Sequence, residues 1–319
     1  MRYSFLFIMS LFFLNNGISQ VSNSKYQKTD NFVFEIGPLE KSNVANIVDT
    51  ITAPFTDKEN KARAIYTWIA NNIELDPKAI RSGDNKNTEP ENVIKLRKST
   101  PLGFAMLFQE MCSQADIRCL VVDGYTKYNA EQINEIPDAI NYSWNVIQLG
   151  TSPNAWYYVD ATKASGYLDT KQTRFTRKFS GDYFFANKNI FNLDHFPDNQ
   201  AWLMGEGSKS IKDFYSLPLI HEGAYQLGVI KPNPANGFIQ TKPTVSNLFS
   251  FKANDVQSIN NISIVIGEGN KEQKPERVNV TTKGNEIFFS CFFKKEDTYP
   301  VRIIVDGKVT ITYMVESSE

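Results

Sequence analysis

The chain has 319 residues, 41% apolar and 22% charged, with a formal charge of −1 and a pI near 6.2. This composition describes a globular protein with ample core-forming material and excludes a disordered or fibrous chain. The near-neutral balance lacks the Lys and Arg excess that drives nonspecific nucleic-acid binding, so nucleic acid is not an expected partner. Three cysteines (Cys112, Cys119, Cys291) and two histidines (His195, His221) leave little material for a Cys- or His-rich site.

In chain order, MRYSFLFIMSLFFLNNGISQ joins Arg2 to an apolar run from Phe5 to Leu14 and then to small and polar residues. This pattern is that of a secretory signal peptide over residues 1–19, too short in its apolar part for the roughly 20 residues of a membrane span. Export predicts a secreted, periplasmic or cell-surface protein. In that oxidising setting the six residues between Cys112 and Cys119 permit a disulfide, with Cys291 left odd.

Apolar spacings of three and four predict helices through Val44–Ile51 and Ala62–Ile73, the second preceded by a capping-box pattern at Thr56 and Glu59. Residues 76–100, broken by Pro77, Gly83 and Pro90, read as loop with one short helix around Val93–Leu96. GDNKN at 83–87 lacks the alternating acids of a calcium loop and reads as a turn. A further helix starts at Pro101, where proline suits the first helical position and Ser99 or Thr100 serves as N-cap.

Three strand-like segments follow, RCLVVDGYT, NYSWNVIQL and AWYYVDA. The turn GTSPN sets Leu149 opposite Ala155, and hence Trp144 opposite Asp160 with Tyr142 diagonal to it. The three side chains then share a face, and Tyr142 can hydrogen-bond the Asp160 carboxylate. Only Tyr142 is expected to approach it. Trp68, Trp156 and Trp202 read as core, and the aromatic and basic run at 174–191 as a wrap around that core. From about residue 238, short alternating runs such as Ile262–Ile266 and Val309–Tyr313 predict a β-sandwich, with KPNPANG at 231–237 as linker.

The order IYTWIANNI, GFAMLFQEMC, IRCLVVDGY, SWNVI and WYYVDAT resembles the transglutaminase-like superfamily over roughly residues 43–228, and LDHFPDNQAWLM at 193–204 is similar to its kyphoscoliosis-peptidase branch. The resemblance implies an α+β, papain-like core over residues 20–230 ahead of the sandwich at 231–319. It also implies a Cys-His-Asp triad for acyl transfer or peptide hydrolysis. Here the Cys position holds Pro101, the His position holds Tyr142, and only Asp160 matches. Triad chemistry needs a nucleophile and a base, and a tyrosine titrating near pH 10 is a poor base at neutral pH.

The sequence reading is therefore an exported pseudoenzyme with vestigial positions Pro101, Tyr142 and Asp160. It is read as a binding or structural module of the cell envelope, with a protein or peptide as partner. Its residual cleft is expected to be lined by Ser99, Thr100, Gly103 and Trp144. No metal and no cofactor are expected. His195 reads as core packing, and neither histidine has the spacing of a metal motif. The alternative is an enzyme with a displaced nucleophile, Cys112 or Ser99. Cys112 lies about 16 Å along the helix from Pro101, at about 1.5 Å per residue, too far to replace a thiol there. A third reading makes the sandwich the recognition element.

Overall fold

The computed structural model describes residues 24–152 and 155–319. The signal peptide expected at 1–19 lies outside the described residues. Three helices, Gln27–Ile36, Val44–Thr52 and Lys58–Asn72, open the fold. The third is its axis: every residue from Ala62 to Ala70 is buried, as expected of a helix surrounded by protein. Its N-cap is Asp57, which accepts from the Asn60 amide, and the Thr56–Glu59 capping box does not form. A carboxylate at the positive helix end is a stronger acceptor than a hydroxyl, and Glu59 is drawn away by the Tyr26 hydroxyl and Lys25.

Within this helix Arg63 is fully buried and grips Asp30 through two bonds, Nε to Oδ1 at 2.8 Å and Nη2 to Oδ2 at 2.7 Å. Thr67 Oγ1 donates to the same carboxylate at 2.7 Å, and Arg63 Nη1 reaches the Gly181 carbonyl at 3.1 Å. The first helix, the axis and the 174–191 wrap are thereby joined. Phe179, Tyr183, Phe184 and Phe185 of that wrap pack on the main core, as the sequence suggested.

The segment 76–100 holds two helices where one was expected, Pro77–Ser82 and Pro90–Leu96. Asp76 caps the first by accepting from the amides of Lys78 and Ala79, and Gly83 ends it in the left-handed conformation at φ 65°. The helix from Pro101 runs to Gln114 with Thr100 as its N-cap.

Beside it stands a four-stranded antiparallel sheet in the order Trp156–Val159, Tyr142–Gln148, Arg118–Tyr125, Phe196–Pro197. Gln148 pairs with Trp156 and Asn145 with Val159, and Leu149 N donates to Ala155 O at 3.0 Å, so the expected register holds.

The C-terminal region is two packed sheets. One orders Ile230–Asn233, Ser246–Lys252, Glu286–Phe292 and Val280–Lys283; the other orders Phe238–Thr241, Lys308–Ser317, Asp297–Val305, Ile262–Ile266 and Glu276–Arg277. Phe249, Phe289, Val301 and Tyr313 lie in the core between them. The linker expected at 231–237 is not free chain, because Ile230–Asn233 is a paired strand. Leu219 and Ile220 already pair with Thr312 and Ile311, and Ala224 and Val229 sit in the sandwich core, so the chain enters the sandwich near residue 219. Proline content marked a break, but apolar burial decides where a domain begins.

The short helix Glu222–Leu227 ties the two halves together. Tyr225 donates to Asp194 Oδ2 at 3.0 Å, Gln226 to Asp182 Oδ2 at 3.0 Å, and Lys178 pairs with Glu222 at 2.5 Å.

Candidate functional site

Helix Pro101–Gln114 packs against strand Tyr142–Gln148 and helix Ala161–Ser165. Proline at its first position leaves no side-chain nucleophile there. The two hydroxyls before it are buried and bound by the 83–88 segment: Thr100 Oγ1 donates to Asn85 Oδ1 at 2.7 Å, and Ser99 Oγ to the Asn87 carbonyl at 3.5 Å. What the sequence reads as a turn thus covers the helix start. Gly103 is required because a Cβ there would collide with Ser99 Oγ.

Asp160 is the centre of the site. It caps helix Ala161–Ser165, with Oδ1 accepting from the Lys163 amide at 2.9 Å. Its Oδ2 accepts from Tyr142 Oη at 2.9 Å, as the strand register predicted. The expectation that only Tyr142 approaches is corrected, because His195 Nε2 lies 3.0 Å from the same oxygen. Burial drives the Tyr142 hydroxyl well above its ordinary pKa, reinforced by the Asp160 charge, so at neutral pH it is a donor and not a base.

His195 is fully buried, as the core-packing reading expected, and is held on every side. Its ring stacks on Phe191 with centroids 3.8 Å apart and meets Trp144 edge-on at 5.2 Å. Nδ1 faces the Phe191 carbonyl at 3.3 Å. Both nitrogens therefore face acceptors, and neither is directed at a side chain that could serve as a nucleophile. Trp144 is 1% exposed and Tyr142 3%, so these side chains fill the expected cleft instead of lining an open one.

The network continues outward. Asp194 pairs with Lys163 at 2.5 Å and receives the Tyr225 hydroxyl. Burial acts to raise its pKa, but the Lys163 and His195 charges and these two bonds outweigh it and hold the carboxyl below its usual range. Lys127, which sequence reasoning passed over, is buried with Nζ donating to the Phe214 carbonyl at 2.8 Å, and burial pushes it down to about 7. Nothing in local pattern flags a lone lysine after a strand as buried.

Cys112 and Cys119 are buried free thiols, not a disulfide. Burial first, then the hydrogen bond and charge of Cys119, raises the Cys112 thiol well above its ordinary pKa, the reverse of an activated nucleophile. Cys291 is a third buried thiol, in the sandwich, pushed up by burial to about 12.

His221 stands apart from the site, with Nε2 at 2.7 Å from Thr312 Oγ1 on the sandwich. Burial pushes its pKa down to about 4. A base whose folded pKa is depressed contributes stability above its unfolded pKa of about 6.5 and loses it as pH falls. Wild type is therefore expected to lose roughly 1–2 kcal/mol between about pH 6.5 and pH 4 through this group, discounted from the full linkage because the residue is only half-buried. His221→Gln should flatten that window in denaturant titrations, and an unchanged slope would remove His221 as the cause. Among the described residues no group of three His, Cys, Asp or Glu is placed to hold a metal ion.

A family model described as the Transglutaminase-like superfamily matches residues 45–161, which include Pro101, Tyr142 and Asp160. Kyphoscoliosis peptidase of Homo sapiens is 28% identical over 282 residues, 83% of this chain and 42% of its own length. Its Mus musculus counterpart is 26% identical over 291 residues, 82% of this chain and 44% of that one. Residues 45–161 carry a transglutaminase-like domain. The chain's likeness is to the kyphoscoliosis-peptidase branch, and Hillarin of Drosophila melanogaster matches more distantly, 19% identical over 64% of this chain and 26% of its own. The chain spans less than half the length of these curated relatives. No helix among the described residues is long and apolar enough to cross a membrane.

Proposed function

We propose that this chain is an exported pseudoenzyme, a non-catalytic protein- or peptide-binding or structural module of the cell envelope. The observation that supports it is the closure of Asp160. The one carboxylate matching the family's triad is occupied by Tyr142, His195 and the Lys163 amide, with proline where the family carries its thiol. The carboxylate that would orient a catalytic base has become a structural node joining strand, helix and wrap. The apolar N-terminal run supports export, and a mature N-terminus near residue 20 in an envelope fraction is the result expected of that part.

The competing reading places the chemistry on Cys112 or Ser99. A buried thiol raised in pKa and a hydroxyl held by a backbone carbonyl argue against both. The decisive measurement is amine incorporation into a glutamine peptide, together with peptide cleavage, by the purified mature protein. Both are expected at the level of a protein-free control. Steady turnover abolished by Cys112→Ala or Ser99→Ala would overturn the pseudoenzyme reading.

A further inference from the structure

Away from Asp160, the connection between the first two helices, the end of helix Lys58–Asn72 and helix Pro90–Leu96 line an open surface cavity of about 780 Å³. Arg97 stands in its wall. The residue closes helix Pro90–Leu96 in the left-handed conformation at φ 56°, and its guanidinium lies 5.0 Å from the centroid of the Trp68 ring. Nη2 donates to the Leu39 carbonyl at 3.3 Å, while Nη1 is buried with no hydrogen-bond partner. A buried charged donor left unpaired is costly and calls for an acceptor. Leu39 and Lys41, on the connection beside it, are also left-handed, at φ 50° and 62°. Three strained non-glycine residues around one cavity are what a preorganised binding site tends to carry.

The remaining wall sets the ligand chemistry. Lys41 and Lys95 add positive charge. Asn71 and Asn72 donate their amide groups back to the Thr67 and Trp68 carbonyls, at 2.7 and 2.8 Å, which leaves their carboxamide oxygens as acceptors. Glu40 and Glu91 line the same cavity and offset two of the three cations, so the lining carries one net positive charge, which suits a singly charged anion better than a dianion such as phosphate. A singly charged carboxylate matches the planar fork of an arginine, and peptide N–H groups match the amide acceptors.

We infer that this cavity binds the free carboxyl terminus of a peptide, with Arg97 taking the carboxylate and Asn71 and Asn72 the adjoining backbone amides. Binding requires a small shift of the 38–42 connection to uncover Nη1. The inference rests on the binding-module reading but places the partner on a surface separate from Asp160.

The test is calorimetric titration of the full mature chain with acetyl-Ala-Ala-Ala as the free acid, with its C-terminal amide, and with inorganic phosphate. The acid is expected to saturate, and the amide and phosphate to bind at least about tenfold more weakly. Arg97→Lys keeps the charge but loses the fork and should weaken the acid by about tenfold or more. Lys95→Glu, on an exposed position, decides the matter if Arg97→Lys fails to fold, and should weaken the acid several-fold. Equal binding of acid and amide, tighter binding of phosphate, indifference to Lys95→Glu, or no binding at all would overturn the assignment. Failure of these titrations with no turnover in the amine-incorporation assay overturns this assignment alone, whereas turnover there overturns the pseudoenzyme reading on which it rests.

Discussion

Asp160→Ala is expected to destabilise the protein by about 3–5 kcal/mol, measured by denaturant unfolding, the range for removing one partner from a buried charged network. The substitution strands three donors at once: the Tyr142 hydroxyl, His195 Nε2 and the Lys163 amide, all in a site where Asp160 and His195 are fully buried. Unmade bonds in such a place cost the desolvation of each group with no water to replace the carboxylate. Asp160→Asn keeps the shape and one acceptor oxygen, so about 1–2 kcal/mol is expected. The pair of variants separates roles. A structural node predicts a large stability loss for alanine, a small one for asparagine, and no effect of either on turnover. If Asp160→Ala left stability within error and removed a measurable reaction, the carboxylate would be catalytic and the proposed function wrong.

Arg63→Ala is expected to be of similar size, about 3–5 kcal/mol, because Asp30 is left as an uncompensated buried charge. The loss reaches beyond the pair. Arg63 also holds the Gly181 carbonyl and packs its guanidinium against Tyr26 at 4.8 Å and Tyr66 at 5.0 Å, so the first helix and the aromatic wrap loosen together. The double substitution Arg63→Met with Asp30→Leu removes both charges in comparable volume and is expected to recover most of the stability. Recovery in the double variant identifies stranded charge as the cause. A double variant as unstable as Arg63→Ala would assign the loss to packing and to the Gly181 bond.

Both predictions concern contacts that differ in how far the sequence revealed them. The Tyr142–Asp160 bond was legible because residues of equal parity share a strand face and a short turn fixes the register, so eighteen positions of separation collapse to one calculable geometry. The His195–Asp160 contact spans 35 positions and crosses from a strand end to a helix end. No local period links them. Helix Pro77–Ser82 was missed for a related reason: its six residues bury nothing, so it carries no apolar rhythm, and only the Asp76 cap, Pro77 and Gly83 announce it.

The sequence by itself determined the likeness to the transglutaminase-like superfamily, the helices through Val44–Ile51, Ala62–Ile73 and from Pro101, the three strands that follow, the α+β core ahead of paired sheets, the proline at the helix start and the face shared by Tyr142, Trp144 and Asp160. These follow from side-chain period, turn length and helix-start chemistry, all of which act over a few residues. Only the tertiary structure decided that His195 completes the shell around Asp160, that Asn85 and Asn87 cover the helix start, that Arg63 pairs with Asp30, and that the sandwich begins near residue 219. Each of these joins segments whose separation along the chain says nothing of their separation in space. They form because buried polar groups must find partners and apolar surfaces must be covered, wherever the packed chain brings them together.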